Sequence, residues 1–353
     1  MVSKKWIIAG SAGLLLVAAV IYFSGDRIFN SHTGSETIND SLQMIEQLTP
    51  QIADLSERIK KSPTDAGLFY TRANEYLEYG NLKFALEDYK KAYQLDSTNA
   101  TYALGLSDGL FQVNNADGAI GVLLDFLKTD PDNEDVLVEL GLDYLYLPEP
   151  EYKKSLEAFD KVIKINVQNA DAYFYKGIIF KETGDTVRAL SSFQTTIEVD
   201  PDYYSAYMQL GTAYAESKDP IALKYFDIAI SLNDTSNEAQ YAKAKYYQDN
   251  GKIAEAIKYY RGMITKNPQD DDAIYNLATI YFGIDSIGAA YKYYDLAIKQ
   301  APARAMSYYG KGLCAEELKR VDEAISLYNQ ALNLDPDLKI AEEQLLKLKT
   351  NKK

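Results

Sequence analysis

The chain has 353 residues, 47% of them hydrophobic, and a net charge of −14. An acidic body repels phosphate backbones, which argues against a nucleic-acid partner. One cysteine, Cys314, excludes an internal disulfide, and one histidine, His32, leaves no ordinary Ser-His-Asp or Cys-His chemistry.

Trp6 to Phe23 is eighteen residues without a charge. As a helix it reaches ~27 Å, enough for a bilayer core. Lys4 and Lys5 precede it, while Asp26 and Arg27 follow and cancel. Residues 1–23 are therefore expected to be a transmembrane anchor with a cytoplasmic N-terminus and an exported remainder, periplasmic in a bacterium. A cleaved signal sequence, followed by secretion, also fits; Val17-Ala18-Ala19 approximates its cleavage site. Residues 24–40 are polar and read as a flexible tether. Residues 41–65 carry Leu42, Ile45, Leu48, Ile52, Leu55 and Ile59, broken by Pro50, and read as a degenerate repeat or N-terminal cap. The same spacing fits a short coiled-coil stalk.

Residues 66–338 hold eight copies of a pattern about 34 residues long, at 66–99, 100–133, 134–169, 170–203, 204–236, 237–270, 271–304 and 305–338. Position 8 is always small, as in Ala73, Gly141, Gly211 and Gly312. Position 20 is Ala or Ser, and position 24 is Tyr89, Leu123, Phe159, Phe193, Phe226, Tyr260, Tyr294 or Tyr328. Apolar residues at positions 4, 7, 8 and 11, then at 20, 24 and 27, follow helical spacing, so each copy predicts two helices. The small residues at 8 and 20 let the two helices of a pair approach closely, and the aromatic at 24 is expected to fill the space between neighbouring pairs. Pro131, Pro201, Pro268, Pro302 and Pro336 at position 32 stop the second helix. Gly80, Gly184 and Gly251 at position 15 mark the turn between helices A and B.

Three copies depart from the pattern. The third has extra residues around Pro148 and Pro150, and the fifth is one residue short at Lys218 to Ile221. The second carries Gly105, Gly109, Gly118 and Gly121, which predicts a weak stretch because glycine lowers helix stability. Residues 339–353 supply Ile340, Leu345, Leu346 and Leu348 for a C-terminal capping helix with a polar back.

The small and aromatic order of Gly211, Tyr214, Ala222 and Phe226, recurring in register, resembles the tetratricopeptide repeat (TPR) family. The resemblance implies an all-α fold, a right-handed α-solenoid of about eight TPR helix pairs, here behind an N-terminal transmembrane helix. It also implies a concave groove lined by positions 2, 5, 6, 9, 12 and 13 of the A helices. The protein-binding residues expected there are Tyr70, Asn74, Phe111, Phe174, Lys181, Met208, Tyr241, Lys245, Tyr275, Phe282 and Tyr309. Acidic residues at these positions include Glu238, Asp249 and Asp272. The expected ligand is a protein or peptide with apolar anchors and neutral or basic character. Copies one and two lack the Lys and Arg of a carboxylate clamp, so acidic-tail binding of that kind does not carry over. With packing assigned to positions 8, 20, 24 and 27, Tyr241, Tyr275 and Tyr309 are expected to be dispensable for folding.

No phosphate-binding loop, dinucleotide fingerprint or zinc-helix motif occurs. Asp270-Asp271-Asp272 reads as a helix N-cap, Asp108, Asp117 and Asp143 as solvated faces, and Cys314 as a small packed residue. No enzyme activity, cofactor or metal is expected. The sequence predicts a membrane-anchored, non-catalytic scaffold for protein–protein interaction in a bacterial envelope assembly. A substrate-recruiting subunit of an envelope enzyme, or a receptor for transported proteins, fits the same features.

Overall fold

The computed structural model describes residues 50–233 and 236–351. Among the described residues there are 18 helices and no strand. We number them α1 (Pro50–Lys61), α2 (Ala66–Glu78), α3 (Leu82–Leu95), α4 (Ala100–Gln112), α5 (Ala116–Phe126), α6 (Glu134–Leu145), α7 (Tyr152–Ile165), α8 (Ala170–Glu182), α9 (Thr186–Val199) and α10 (Tyr204–Glu216). There follow α11 (Ile221–Leu232), α12 (Glu238–Asp249), α13 (Ile253–Lys266), α14 (Asp271–Gly283), α15 (Ile287–Gln300), α16 (Ala305–Glu317), α17 (Val321–Leu334) and α18 (Lys339–Asn351). The chain forms two compact units that divide between Asp185 and Thr186. The expected anchor at 1–23, the tether at 24–40 and the first part of the 41–65 segment lie outside the described residues. Among the described residues no helix is long and apolar enough to cross a membrane.

The first unit contains α1 to α8. Its helices start where short polar side chains cap them. Asp65, Asn81, Asn99, Asn115, Asn133 and Asn169 each accept a backbone N–H of the first turn. Ile52, Leu55 and Ile59 of α1 are buried and pack against Tyr76 and Phe69 of α2. Burial of such side chains is the main stabilising term, at roughly 1.5–3 kcal/mol each. The glycines of the second copy are more than weak points. A Cβ on Gly105 would stand 2.8 Å from the Tyr70 ring and 3.1 Å from Tyr89, so this position must be bare for two aromatic rings to reach α4.

The second unit contains α9 to α18. Its cores repeat one contact: the aromatic at position 24 lies on the small residue at position 8 of its own pair. A Cβ on Gly211 would stand 2.5 Å from Phe226. The B helices α9, α13, α15 and α17 end two residues before Pro201, Pro268, Pro302 and Pro336. Leu345 and Leu348 of α18 are buried against Ala315, Leu327 and Tyr328, so α18 covers the last pair.

The A-to-B turn has a fixed backbone that the residue types hide. Position 15 is left-handed in seven copies, at Gly80, Asn114, Gly184, Lys218, Gly251, Asp285 and Lys319. Only three of the seven are glycine. The turn is imposed by packing of the two helices, and the other four side chains accept the strain.

Candidate protein-binding face

In the first unit, helices α2, α4 and α8 carry the expected residues. Tyr70 is half-buried, its ring 5.5 Å from that of Tyr89 on α3 and 5.3 Å from that of Tyr102 on α4. The Tyr89 hydroxyl donates to the Asn74 side-chain oxygen at 2.6 Å, so Asn74 is held in place by the core. Phe174 is buried, edge-on to Tyr175 at 5.3 Å. Phe111 is half-buried and Lys181 is exposed.

Two tyrosines absent from the expected set occupy groove positions, Tyr146 half-buried and Tyr175 buried. Tyr146 ends α6, where burial pushes its phenol up to about 12. Tyr175 stacks on Phe159 at 5.7 Å. Burial raises its phenol too, and Tyr146, Asp171 and Glu139 add negative field in that order. They occupy positions 13 and 6, which the groove assignment already contained, so the signal was available. Asp143 departs from its expected role: it is fully buried and accepts a hydrogen bond from the Ser107 hydroxyl at 3.1 Å. Asp117 is exposed and Asp108 half-buried.

In the second unit, Met208 is buried, at 7% exposure, and belongs to the core with Tyr207 and Phe226. Tyr241, Tyr275 and Tyr309 each lean on the position-24 ring of their own pair. The centroid distances are 6.2 Å to Tyr260, 5.9 Å to Tyr294 and 5.8 Å to Tyr328. The expectation that these three are dispensable for packing is therefore corrected: all three are half-buried and their rings pack against core aromatics. Phe282 is half-buried beside the same core. Lys245 is exposed and pairs with Asp249 at 3.0 Å.

Residues just before each A helix complete this face. Asp270 caps α14 through the Ala273 N–H at 3.0 Å, accepts from Asn237 at 3.2 Å, and accepts the Tyr241 hydroxyl. The Tyr241 phenol is raised by burial first and by Asp270 second. Arg304 lies 5.2 Å from the Tyr275 ring centroid and bridges to Asp271 at 2.7 Å and to Asp272. One carboxylate expected to face a ligand is thus already paired with a guanidinium. Tyr309 is raised by burial, with Glu316, Glu343 and Tyr275 contributing negative field. Sequence reasoning missed Arg304 because position 34 belongs to a linker in the linear pattern; in space it meets positions 1, 2 and 5 of its own copy. Cys314 is fully buried, its thiol pushed up to about 12 by that burial, which leaves it an inert core atom.

Tetratricopeptide repeat models match residues 171–203 and, in overlapping spans, residues 220–338. The tetratricopeptide repeat family is supported. Anaphase-promoting complex subunit 3 of Schizosaccharomyces pombe is 33% identical over 27% of this chain and 14% of its own. TPR repeat-containing protein MJ1428 of Methanocaldococcus jannaschii is 24% identical over 57% of this chain and 44% of its own. The chain thus spans less than half the length of either relative. Among solved structures, the C-terminal part of a TPR repeat-containing protein from Cytophaga hutchinsonii aligns with a TM-score of 0.57 at 19% identity, covering 68% of this chain and 98% of that one. This likeness shows a tetratricopeptide fold.

Proposed function

We propose that this protein is a non-catalytic, membrane-tethered TPR scaffold whose A-helix face binds a protein segment with apolar anchors and basic or neutral character. Residues 6–23 supply the anchor and residues 24–40 the tether, and the repeats stand on the exported side, within a bacterial envelope assembly. The observation that carries the binding reading is the row Tyr241, Tyr275 and Tyr309. Each ring packs on a core aromatic; Glu343 adds negative field at Tyr309, and Glu238, at position 2 of the Tyr241 copy, is exposed. Half-exposed rings fixed by packing lose little entropy on binding and make effective anchors.

Binding is tested by fluorescence anisotropy with a labelled Lys-Ala-Leu repeat peptide. Wild-type protein should bind it, and added salt should weaken binding. The variant Glu238→Gln/Glu343→Gln should bind it several-fold more weakly with unchanged circular dichroism. Unchanged binding in that variant, or equal binding of a Glu-Ala-Leu peptide at this face, would sink the proposal. Topology is tested separately: a reporter fused after Lys353 should be active only on the exported side.

A further inference from the structure

The second unit carries a second patterned face, on the B helices. The segments Lys224-Tyr225-Phe226, Lys258-Tyr259-Tyr260 and Lys292-Tyr293-Tyr294 occupy positions 22 to 24 of three successive copies. The third residue of each is in the core. The second is half-buried and stacks on the position-11 tyrosine of its own pair: Tyr225 on Tyr214 at 5.5 Å, Tyr259 on Tyr247 at 5.6 Å and Tyr293 on Tyr281 at 5.4 Å. The first, the lysine, is exposed in all three, and none of the three forms an ion pair among the described residues. The first unit has no counterpart, with Glu87-Asp88, Gly121-Val122 and Glu157-Ala158 at the same places.

The charge of this face is opposite to that of the A helices. Helices α11, α13 and α15 hold six Lys or Arg against three Asp or Glu. Helices α10, α12 and α14 hold two against five. Two of the three carboxylates on the B side are already occupied: Asp227 by Lys243, and Asp295 by Lys311 at 2.7 Å and Lys299 at 2.8 Å. Arg261, also exposed, donates to the Tyr281 hydroxyl and adds charge beside the third stack. In a chain of net charge −14, a lysine column at one-repeat spacing beside three tyrosine pairs is a local inversion of sign.

We infer that this stripe is a second docking surface, for an acidic segment of a partner protein. The segment's carboxylates meet Lys224, Lys258 and Lys292, and its apolar side chains lie on the exposed edges of the tyrosine pairs. Complementary charge gives such a surface its selectivity and its association rate. Tyrosine pairs supply rigid apolar area. The two faces then serve different ligands, a basic one on the A helices and an acidic one on the B helices.

The test measures binding of a labelled Glu-Ala-Leu repeat peptide to the full chain. Wild type should bind, with affinity falling as salt rises, and Lys224→Glu/Lys258→Glu/Lys292→Glu should lose about tenfold or more. These lysines are exposed, so circular dichroism and thermal unfolding should not change. Glu238→Gln/Glu343→Gln should bind the acidic peptide as wild type does, which separates this surface from the A-helix face. Unaltered binding in the lysine variant overturns the inference. So does tighter lysine-dependent binding of oligo-dT, or of vesicles containing phosphatidylglycerol, since either would assign the stripe to a different partner class.

Discussion

The Tyr241 hydroxyl donates to Asp270, and Asp270 is at the same time the N-cap of α14. One carboxylate thereby fixes a binding-face ring on one A helix and starts the next. Asp270→Ala should remove the cap and leave the phenol short of its acceptor. The loss should be about 2–3 kcal/mol, from ~1 for the cap and 1–2 for the hydrogen bonds. Tyr241→Phe should lose about 1 kcal/mol. Urea unfolding measures both, and equal losses in the two variants would contradict the dual role.

The left-handed residue at position 15 gives a prediction in the opposite direction. Lys218→Gly and Lys319→Gly should each stabilise the chain by about 1 kcal/mol, because glycine adopts that backbone without strain. Gly251→Ala should destabilise by a similar amount. Thermal unfolding of the three single variants checks the signs. A loss in both glycine variants would mean that the lysine side chains contribute more than the turn strain they cause.

Alkaline pH should unfold the repeats cooperatively. Burial raises the Tyr260 phenol from 10.0 to about 12, and Tyr89, Tyr175 and Tyr294 move the same way for the same reason. A raised folded value means that the stabilisation is complete below the unfolded value near 10. It is lost as pH rises through the folded value. Tyrosinate absorbance and helical circular dichroism should therefore change together between pH 10 and about 12. Smooth titration of all tyrosines near pH 10, with the helices intact, would contradict the burial described here.

Acid pH acts on a different group. Asp295 is lowered by its hydrogen bonds to Lys299 and Lys311. Its contribution is present above the unfolded carboxylate value and is lost as pH falls through the lower folded one. Asp295→Asn should flatten the pH dependence of hydrogen exchange in α15 and α16 below pH 4, relative to wild type. Neutral pH exchange elsewhere should be unaffected.

Removing residues 339–353 should uncover Ala315, Leu327 and Tyr328, which α18 covers. Because repeats contact only their neighbours, hydrogen exchange should rise in α16 and α17 and little in α12. A uniform rise across the second unit would show a single cooperative block.

The amino-acid pattern by itself determined the helical character of the repeats and the close approach of paired helices at small positions 8 and 20, since both depend on local spacing and residue size. That the position-24 ring lies on position 8 of its own pair, as Phe226 does on Gly211, came from the packing. The pattern also placed Tyr241, Tyr275 and Tyr309 in one register position. Only the tertiary structure decided what those rings touch. Their lean onto Tyr260, Tyr294 and Tyr328 depends on the angle between the helices of a pair, which no residue type encodes. The same holds for Arg304 on Tyr275 and for buried Asp143 beside Ser107, contacts made across 29 and 36 residues of chain. The stacked tyrosines beside Lys224, Lys258 and Lys292 stand between these cases. Their repetition is visible in the letters, but that position 11 stacks on position 23 and turns the lysines to water follows from how two helices pack.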